Sequence, residues 1–326
     1  MVAHLDPLDQ RLLDEFQRDL PLVPRPFAAM ADRLDVSEAE VIARLAGMRA
    51  EGRIARVGAT VRPNTAGAST LAAMAVPEDR IEQVAQMVNT EAGVNHSYLR
   101  EDAWNLWFVA TAPDPAALQA SLDRISAATG LRVLDLRLVR PFNIDLGFAL
   151  RGTRRALPPA REPDLSVLRD DDRPLLHALS QGLPLVPRPF AALDRPEDQA
   201  IARIAALSAA GILTRVGVIV RHRAVGWTAN AMVVWSLPGD RIAAAGTALS
   251  QHPGVTLCYQ RRTVPGVWDY PLYSMIHARS RAEALAVLER AAALPDLAGA
   301  RHRALFSLRC FRQTGAQLAA PGGKAA

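Results

Sequence analysis

Much of this sequence occurs twice along the chain, which limits the folds open to it. The segment LPLVPRPFAA at residues 20–29 recurs unchanged at residues 183–192. Two more pairs follow in the same order: RIARVGATVR at 53–62 matches ILTRVGVIVR at 212–221, and EAGVNHSYLRE at 91–101 matches HPGVTLCYQRR at 252–262. A period of about 160 residues is too long for a solenoid repeat. Each copy is therefore expected to be a complete, subunit-like half.

Each half begins with a pattern typical of a winged helix-turn-helix. In the first half, apolar residues at helical spacing predict three short helices, and Ser37 with Glu40 forms an S-x-x-E capping box for the third. Gly52 ends that helix, and residues 53–62 alternate like a strand. Three helices followed by a strand indicate winged helix domains at 1–62 and 174–222.

The rest of each half predicts a ferredoxin-like βαββαβ unit. In the first half, strands are expected at 69–76, 94–100, 104–111 and 132–142, and helices at 78–91 and 115–129. The second half repeats this order from 229 to 311, with its second hairpin strand at 270–277. We predict ferredoxin-like domains at 63–150 and 223–315, a linker at 151–173 and a disordered tail at 316–326. This α+β tandem duplication resembles two Lrp/AsnC subunits fused into a pseudo-two-fold dimer.

The net charge of +5 comes almost entirely from arginine, because Lys324 is the only lysine. A GC-rich genome gives the same bias, but arginine also binds carboxylates and phosphates bidentately, so DNA and a polycarboxylate are both candidate partners. The predicted DNA-reading helix begins with Glu38 and Glu40, and its counterpart begins with Glu197 and Asp198. Carboxylates oppose binding to a polyanion. We therefore expect the winged helices to be scaffold and not to bind DNA.

Other compositional features exclude several classes of protein. Cys258 and Cys310 are the only cysteines and form no CxxC pair, so neither a disulfide framework nor a zinc cluster is expected. No apolar run approaches the roughly 18 residues that span a bilayer, and the N-terminal residues do not resemble a signal peptide. The sequence predicts a cytoplasmic protein without membrane contact.

Two predicted hairpins carry polar residues that a core does not need. On the first strand of the first hairpin, His96, Tyr98 and Arg100 have the same parity and are expected on one face. The second copy gives Leu257, Tyr259 and Arg261 in that register, without the histidine. If the second hairpin turns near residues 266 and 267, His277 lies opposite residue 257, at the level of His96.

These hairpins resemble those of the siroheme decarboxylase family. The motifs are N-H-x-Y-x-R-E followed by W-N-L-W-F in the first half, and L-C-Y-x-R-R followed by W-x-Y-x-L-Y-x-M-I-H in the second. Pro271 departs from the pattern, since an asparagine is expected before Leu272 and Tyr273. The resemblance covers nearly the whole chain, because the domain order also matches.

The resemblance implies a carboxy-lyase that removes carbon dioxide, without oxidation, from two acetate side chains of siroheme. The product is 12,18-didecarboxysiroheme, an intermediate of heme d1 biosynthesis in denitrifiers or of an alternative heme pathway. No cofactor is expected, since siroheme carries its own iron. Homologous decarboxylase subunits or a homodimer are potential partners. The alternatives are an Lrp/AsnC-type DNA-binding transcriptional regulator and a non-catalytic heme or siroheme sensor.

Under this resemblance, His96 and His277 are the expected catalytic residues, as proton donors or electrostatic stabilisers, with Tyr98 and Tyr259 assisting. Ligation of the substrate iron by His96 or His277 is the competing role. The residues expected to bind the carboxylates are Arg100, Arg261, Arg262, Arg56 and Arg215. Those expected to contact the macrocycle are Asn105, Trp107, Trp268, Tyr270 and Tyr273, with Trp104 and Phe108 as further apolar surface. The remaining histidines, including His222, are interpreted as surface or structural groups.

Overall fold

The computed structural model describes residues 5–144 and 162–316. Most of the predicted linker and tail, at 151–161 and 317–326, lies outside these residues. The first half contains α1 (Pro7–Phe16), α2 (Pro26–Leu34), α3 (Glu38–Ala50), β1 (Ile54–Val61), β2 (Ala68–Met74), α4 (Ile81–Thr90), β3 (Val94–Arg100), β4 (Leu106–Ala112), α5 (Pro115–Thr129) and β5 (Val133–Asn143). The second half contains α6 (Asp172–Gln181), α7 (Glu197–Ala209), β6 (Leu213–Val220), β7 (Ala229–Ser236), α8 (Ile242–Gln251), β8 (Val255–Arg261), β9 (Leu272–Ala278), α9 (Arg281–Ala292) and β10 (Arg301–Gln313).

The two winged helix regions follow the predicted pattern but differ in their second helix. Ser37 caps α3 by accepting a hydrogen bond from the Glu40 backbone N–H at 3.1 Å, as the capping box predicts. In the second half the helix equivalent to α2 is reduced to a short 3-10 helix at Pro189–Ala192. Pro196 then directly precedes α7. The helix-turn-helix geometry is therefore complete in one half only.

The strands of the two wings pair into an antiparallel ribbon, β1 with β6, in which Gly58 lies opposite Gly217. Both glycines are required by close packing. A Cβ at Gly58 would lie 2.4 Å from the Leu179 carbonyl oxygen, and one at Gly217 would lie 2.4 Å from that of Gln17. Apolar residues from both winged helix regions form one continuous core around this ribbon. The repeated R-V-G motif thus joins the two halves.

The ferredoxin-like units join into one closed, eight-stranded barrel. Around the barrel the strand order is β10-β3-β4-β2-β5-β8-β9-β7. The pairs β5–β8 and β10–β3 cross between the halves, so the last strand of each half completes the sheet of the other. A closed barrel leaves no unpaired sheet edge. The predicted pairing of two halves through their sheets is confirmed, and it closes into a barrel.

Aromatic side chains fill part of the barrel interior. Trp107 and Trp268 meet edge to face with ring centroids 5.2 Å apart, and Tyr273 accepts a 2.7 Å hydrogen bond from Trp268 Nε1. Helices α4 and α5 cover one outer face of the barrel and α8 and α9 cover another, each with its own apolar core. In the described ranges, no helix combines the length and the apolarity needed to cross a bilayer.

Candidate active site

A cavity of about 400 Å³ lies between the β1–β6 ribbon and the interior of the barrel. Its walls include Ala59 and Ile219 of the ribbon, and Leu71, Trp107 and Met275 of the barrel. This volume is typical of small-molecule sites. The cavity lies on the pseudo-two-fold axis, because equivalent strands of both halves contribute to its wall.

Arginine dominates the charge of this cavity. Five arginines line it, namely Arg56, Arg62, Arg100, Arg215 and Arg261. No aspartate or glutamate of the described residues is part of its lining. A buried excess of positive charge is costly unless an anion compensates it. The cavity is therefore suited to a ligand with several carboxylates or phosphates.

Arg100 and Arg261 are related by the pseudo-two-fold axis and are held in the same way. Arg100 donates to the Leu305 carbonyl oxygen at 3.1 Å, and Arg261 donates to the Leu136 carbonyl oxygen at 2.8 Å. Each of these contacts crosses to the other half of the chain. The Nε atoms of both arginines are buried and have no hydrogen-bond partner within the described part of the chain. Both guanidinium groups thus keep donor capacity for a ligand.

Burial destabilises the charged form of these arginines. It lowers the pKa of Arg100 to about 10, and it also lowers the pKa of Arg261. On the ribbon, burial and the nearby charge of Arg215 lower the pKa of Arg56 to about 10. All three remain protonated near neutral pH. An anionic ligand would offset the free-energy cost of burying their positive charge.

Tyr98 and Tyr259 accompany these arginines, again symmetrically. The Arg100 guanidinium lies 5.5 Å from the Tyr98 ring centroid, and that of Arg261 lies 4.6 Å from the Tyr259 centroid. Burial raises the pKa of Tyr98, so its hydroxyl stays protonated and able to donate a hydrogen bond. The alternating pattern predicted that both tyrosines share a face with the arginines, and this is confirmed because all four line the cavity.

His96 also lines the cavity, as the parity of β3 predicted. Its ring lies parallel to that of Tyr98, with centroids 6.4 Å apart. Burial, together with the charge of Arg56, lowers the His96 pKa to about 4, so the ring is neutral at pH 7. Nδ1 lies 2.7 Å from Asn95 Oδ1, an acceptor, which assigns the proton to Nδ1 and the lone pair to Nε2.

His277 lies in the cavity wall, but its predicted register is wrong. Leu257 pairs with Met275, two residues before His277, because the turn is centred on Gly266 and the pairing runs without a break from there to Leu257. His277 Nδ1 instead lies 2.7 Å from Thr256 Oγ1. His277 is therefore not at the level of His96, and its counterpart in the first half is Thr111.

His222, interpreted from the sequence as a surface or structural group, is part of the cavity wall. This side chain is 5% exposed, lines the cavity, and meets the His277 ring at a centroid distance of 4.6 Å. Burial and the charges of Arg223, Arg100 and His96 lower its pKa to about 4. Its signal was present in the duplication, since His222 follows the repeated R-V-G strand at the position of Pro63.

The three histidines divide the cavity wall into two arcs related by the pseudo-two-fold axis. We call strands β9, β7, β10 and β3 the histidine arc, and strands β4, β2, β5 and β8 the opposite arc. His277 and His96 lie on strands of the histidine arc, and His222, which begins the 3-10 turn His222–Val225 between β6 and β7, joins this arc through its ring contact with His277. Their counterparts on the opposite arc are Thr111, Leu257 and Pro63. In the described ranges, no three His, Cys, Asp or Glu side chains come together as a metal site.

Several predicted substrate-binding residues are not part of the cavity lining. Asn105 exchanges two hydrogen bonds with the Val76 backbone, at 2.8 and 3.0 Å, and Arg262 is exposed beyond the end of β8. Trp268, Tyr270 and Tyr273 pack with one another inside the barrel. Of the aromatic residues proposed as flat surface, Trp107 and Phe108 line the cavity.

Comparison with known proteins agrees with this architecture. A family model described as the AsnC-like ligand binding domain matches residues 66–142 and 224–312, and one described as the siroheme decarboxylase NirDL-like HTH domain matches residues 9–54. The siroheme decarboxylase NirDL subunit of Paracoccus denitrificans is 66% identical over 97% of this chain and 98% of its own length. The chain belongs to the siroheme decarboxylase family.

Other members of the siroheme decarboxylase family extend this relationship. The NirD subunit of Pseudomonas aeruginosa is 48% identical over its full length, which corresponds to 46% of this chain. The crystal structure of the siroheme decarboxylase NirDL in co-complex with an iron-uroporphyrin III analogue superposes with a TM-score of 0.66 at 26% identity. That superposition covers 95% of this chain and 93% of the crystallised chain.

Proposed function

We propose that this chain is a siroheme decarboxylase that converts two acetate side chains of siroheme into methyl groups, giving 12,18-didecarboxysiroheme. The observation that carries the proposal is a cavity with five arginines, three histidines and no acidic side chain among its described lining residues. The names of its close relatives, and the crystal structure of one relative with an iron-uroporphyrin analogue, support the same reaction.

In this proposal the arginines bind the ring of carboxylates around the macrocycle. Arg100 and Arg261 approach from equivalent strands of the barrel, and Arg56 and Arg215 from the ribbon. A charge-assisted hydrogen bond is about twice as strong as a neutral one, and bidentate pairing fixes orientation. The unpaired Nε donors of Arg100 and Arg261 are suited to that pairing. Trp107 supplies apolar surface against the macrocycle.

The reaction breaks the bond between the acetate methylene carbon and its carboxylate. Carbon dioxide leaves, the bonding electron pair stays on the methylene carbon, and a proton must be added there to form a methyl group. Histidine is suited to carry that proton, and such acid catalysis contributes about 100- to 10,000-fold. We propose His96 and His277 as catalytic residues, with the hydroxyls of Tyr98 and Tyr259 as hydrogen-bond donors.

Neutral His96 would acquire its proton when the substrate enters. An incoming carboxylate favours the imidazolium form, because opposite charges close together raise the pKa of a base. The same Nε2 lone pair would alternatively ligate the iron of the substrate. That role is better suited to His96 than to His277, since His277 Nε2 lies 3.1 Å from Asn230 Nδ2.

The proposal extends to the setting of the reaction. We propose that it takes place in the cytoplasm within heme d1 biosynthesis, or within an alternative heme pathway. Both halves lie in one chain, so a single copy supplies the whole cavity. Retention of activity by the monomer at high dilution would exclude a required homologous subunit or homodimer.

The deciding experiment is anaerobic incubation of the purified chain with siroheme, followed by mass spectrometry of the tetrapyrrole. Loss of two carboxyl groups is the expected result. An unchanged tetrapyrrole with a shifted absorption spectrum would contradict the proposal and favour a sensor. Absence of siroheme binding combined with salt-sensitive DNA binding would favour a regulator.

A further inference from the structure

The least expected feature of the cavity is a hydrogen-bonded unit built around His222. Asn230, on β7, is 4% exposed and places its Nδ2 atom between two imidazole rings. That atom lies 3.1 Å from His277 Nε2 and 3.4 Å from His222 Nε2. An amide nitrogen carries two hydrogens, so one Asn230 side chain can hold both rings. The two rings meet nearly perpendicularly, at 77°.

Thr256 determines which ring nitrogen of His277 carries the hydrogen. Its hydroxyl donates to the Met275 carbonyl oxygen at 3.0 Å, so the hydroxyl oxygen accepts the hydrogen of His277 Nδ1 at 2.7 Å. His277 is thereby held with its lone pair on Nε2, facing Asn230. Its proton points at Thr256 and away from the other ring. In its neutral form, His277 therefore accepts from Asn230, and this hydrogen bond holds the Asn230 amide beside His222.

The unit has no counterpart across the pseudo-two-fold axis. The residues equivalent to His222, Asn230 and His277 are Pro63, Ser69 and Thr111. None of these three carries an imidazole, and proline has no side-chain donor. Packing alone does not explain the difference, because the strands on both arcs pair in the same register. A second observation points to a ligand: Asn230 Oδ1 is buried in the cavity wall without a hydrogen-bond partner in the described part of the chain.

We propose that His222 is a third catalytic residue, which gives its proton to the methylene carbon as carbon dioxide leaves, while His277 and Asn230 position its ring. This inference rests on the proposed function and goes beyond it. The carboxylates of the bound substrate raise the pKa of His222, so its ring takes up a proton from solvent and becomes an imidazolium. The C–C bond of the acetate then breaks, the electron pair on carbon takes a proton from His222, and the ring returns to its neutral form. His96 and Arg100 line the same cavity as His222. Chemistry is therefore concentrated on the histidine arc.

The test compares His222→Ala with His302→Ala, which removes an exposed histidine outside the cavity. Single-turnover conversion of siroheme is followed by mass spectrometry, and siroheme binding by absorbance. His222→Ala should slow decarboxylation by about 100-fold or more, the usual contribution of a proton donor, while siroheme affinity is retained. Added imidazole should restore part of the rate, because it enters the space left by the side chain. His302→Ala should match the parent.

Restoration of the rate by imidazole distinguishes a catalytic role of His222 from a structural one. Free imidazole would not restore a rate that was lost through misfolding. A His222→Ala rate equal to that of the parent, or a loss of rate that follows a loss of siroheme binding without imidazole rescue, would overturn the inference. If His222→Ala lowers the melting temperature strongly, His222→Gln provides the same comparison in a better-filled site. Asn230→Ser keeps His222 but removes the amide that holds its ring, so it should also slow decarboxylation. Asn230→Ser introduces the residue found at the equivalent position of the first half. A parent chain that binds siroheme without losing carbon dioxide would refute the proposed function itself, which is a distinguishable outcome.

Discussion

The histidine arc and the opposite arc share their arginines and tyrosines but not their histidines. The pairs retained on the arcs are Arg100 with Arg261 and Tyr98 with Tyr259, and the ribbon retains Arg56 with Arg215. The differing pairs are His96 with Leu257, His277 with Thr111, and His222 with Pro63. Groups that bind anions thus line both arcs, whereas groups that carry protons line one. The difference separates substrate binding from chemistry within one cavity.

Fusion of two subunit-like halves explains how such a difference can persist. In a symmetric homodimer every substitution appears on both sides of the axis. Here each half has its own coding sequence, so one arc can gain histidines while the other keeps Leu257 and Thr111. A substrate with carboxylates around its whole ring benefits from arginines on both arcs. Its reacting carbon needs a proton donor on one arc only.

Substitution of His96 gives the largest expected contrast between the arcs. His96→Ala should reduce the rate of decarboxylation by about 100- to 10,000-fold, because a proton donor is lost. Leu257→Ala, its matched variant on the opposite arc, should reduce the rate of decarboxylation much less. Mass spectrometry of the tetrapyrrole with time gives both rates.

His277→Ala should also abolish turnover in a folded chain. Near-full activity of both His96→Ala and His277→Ala would refute their assignment.

Replacement of the arginines should have nearly equal effects on the two arcs. Arg100→Gln and Arg261→Gln each remove charge-assisted hydrogen bonds, which are worth about 1.5–3 kcal/mol, so each should weaken siroheme binding about 10- to 150-fold. Absorbance titration measures the Kd, and thermal melting controls for folding. A loss confined to one variant would show that the carboxylates engage only one arc.

Replacement of the tyrosines should change activity less than replacement of the arginines changes binding, and the two tyrosine variants should differ from each other. Tyr98→Phe removes a hydroxyl beside His96, and a neutral hydrogen bond contributes about 0.5–1.5 kcal/mol, so kcat should fall about two- to tenfold. Tyr259→Phe lies beside Leu257 and should change kcat less. Steady-state kinetics with both variants checks this order. A larger effect of Tyr259→Phe would reverse our assignment of the reacting arc.

The last prediction concerns the pH dependence of stability and not activity. The pKa values of His96 and His222 are lowered to about 4, so between about pH 6.5 and 4 the unfolded chain binds protons that the folded chain does not. The free energy of unfolding should therefore fall as the pH decreases through this window, by at most about 1.4 kcal/mol per pH unit for each histidine. His222→Gln should flatten the dependence, measured by urea denaturation. His302→Gln is the exposed control, and an equal flattening in that variant would contradict the burial argument.

The winged helix regions differ in another way from DNA-reading domains. Glu38 at the start of α3 forms an ion pair with Arg25, and Glu197 at the start of α7 forms one with Arg188. Both arginines come from the repeated VPRPF segment. The ends of these helices that would meet DNA are thus occupied by internal ion pairs, which supports the prediction that they are scaffold.

Local patterns in the sequence were sufficient to determine most elements. The strand predicted at 94–100 and the helix predicted at 115–129 match β3 and α5 in full. The second strands of both hairpins were predicted two residues too early, because Trp104 and Tyr270 belong to the preceding turns. Alternation also placed His96, Tyr98 and Arg100 on one face. Such periodicity depends only on neighbours along the chain, so the sequence alone reveals it.

Only the tertiary structure showed that the barrel closes and which residues line the cavity. The pairs β5–β8 and β10–β3 join strands that are far apart in sequence, and the turn centred on Gly266 sets Leu257 opposite Met275 and not opposite His277. His222 and His277 are 55 positions apart in the numbering, and they meet because β7 pairs with β9 and places Asn230 beside both rings. Trp268 and Tyr273 had the composition of a binding surface but lie in the interior, because closure of the barrel buries that face. Residue types and periodicity are local properties, whereas register and burial arise from how the two halves pack together.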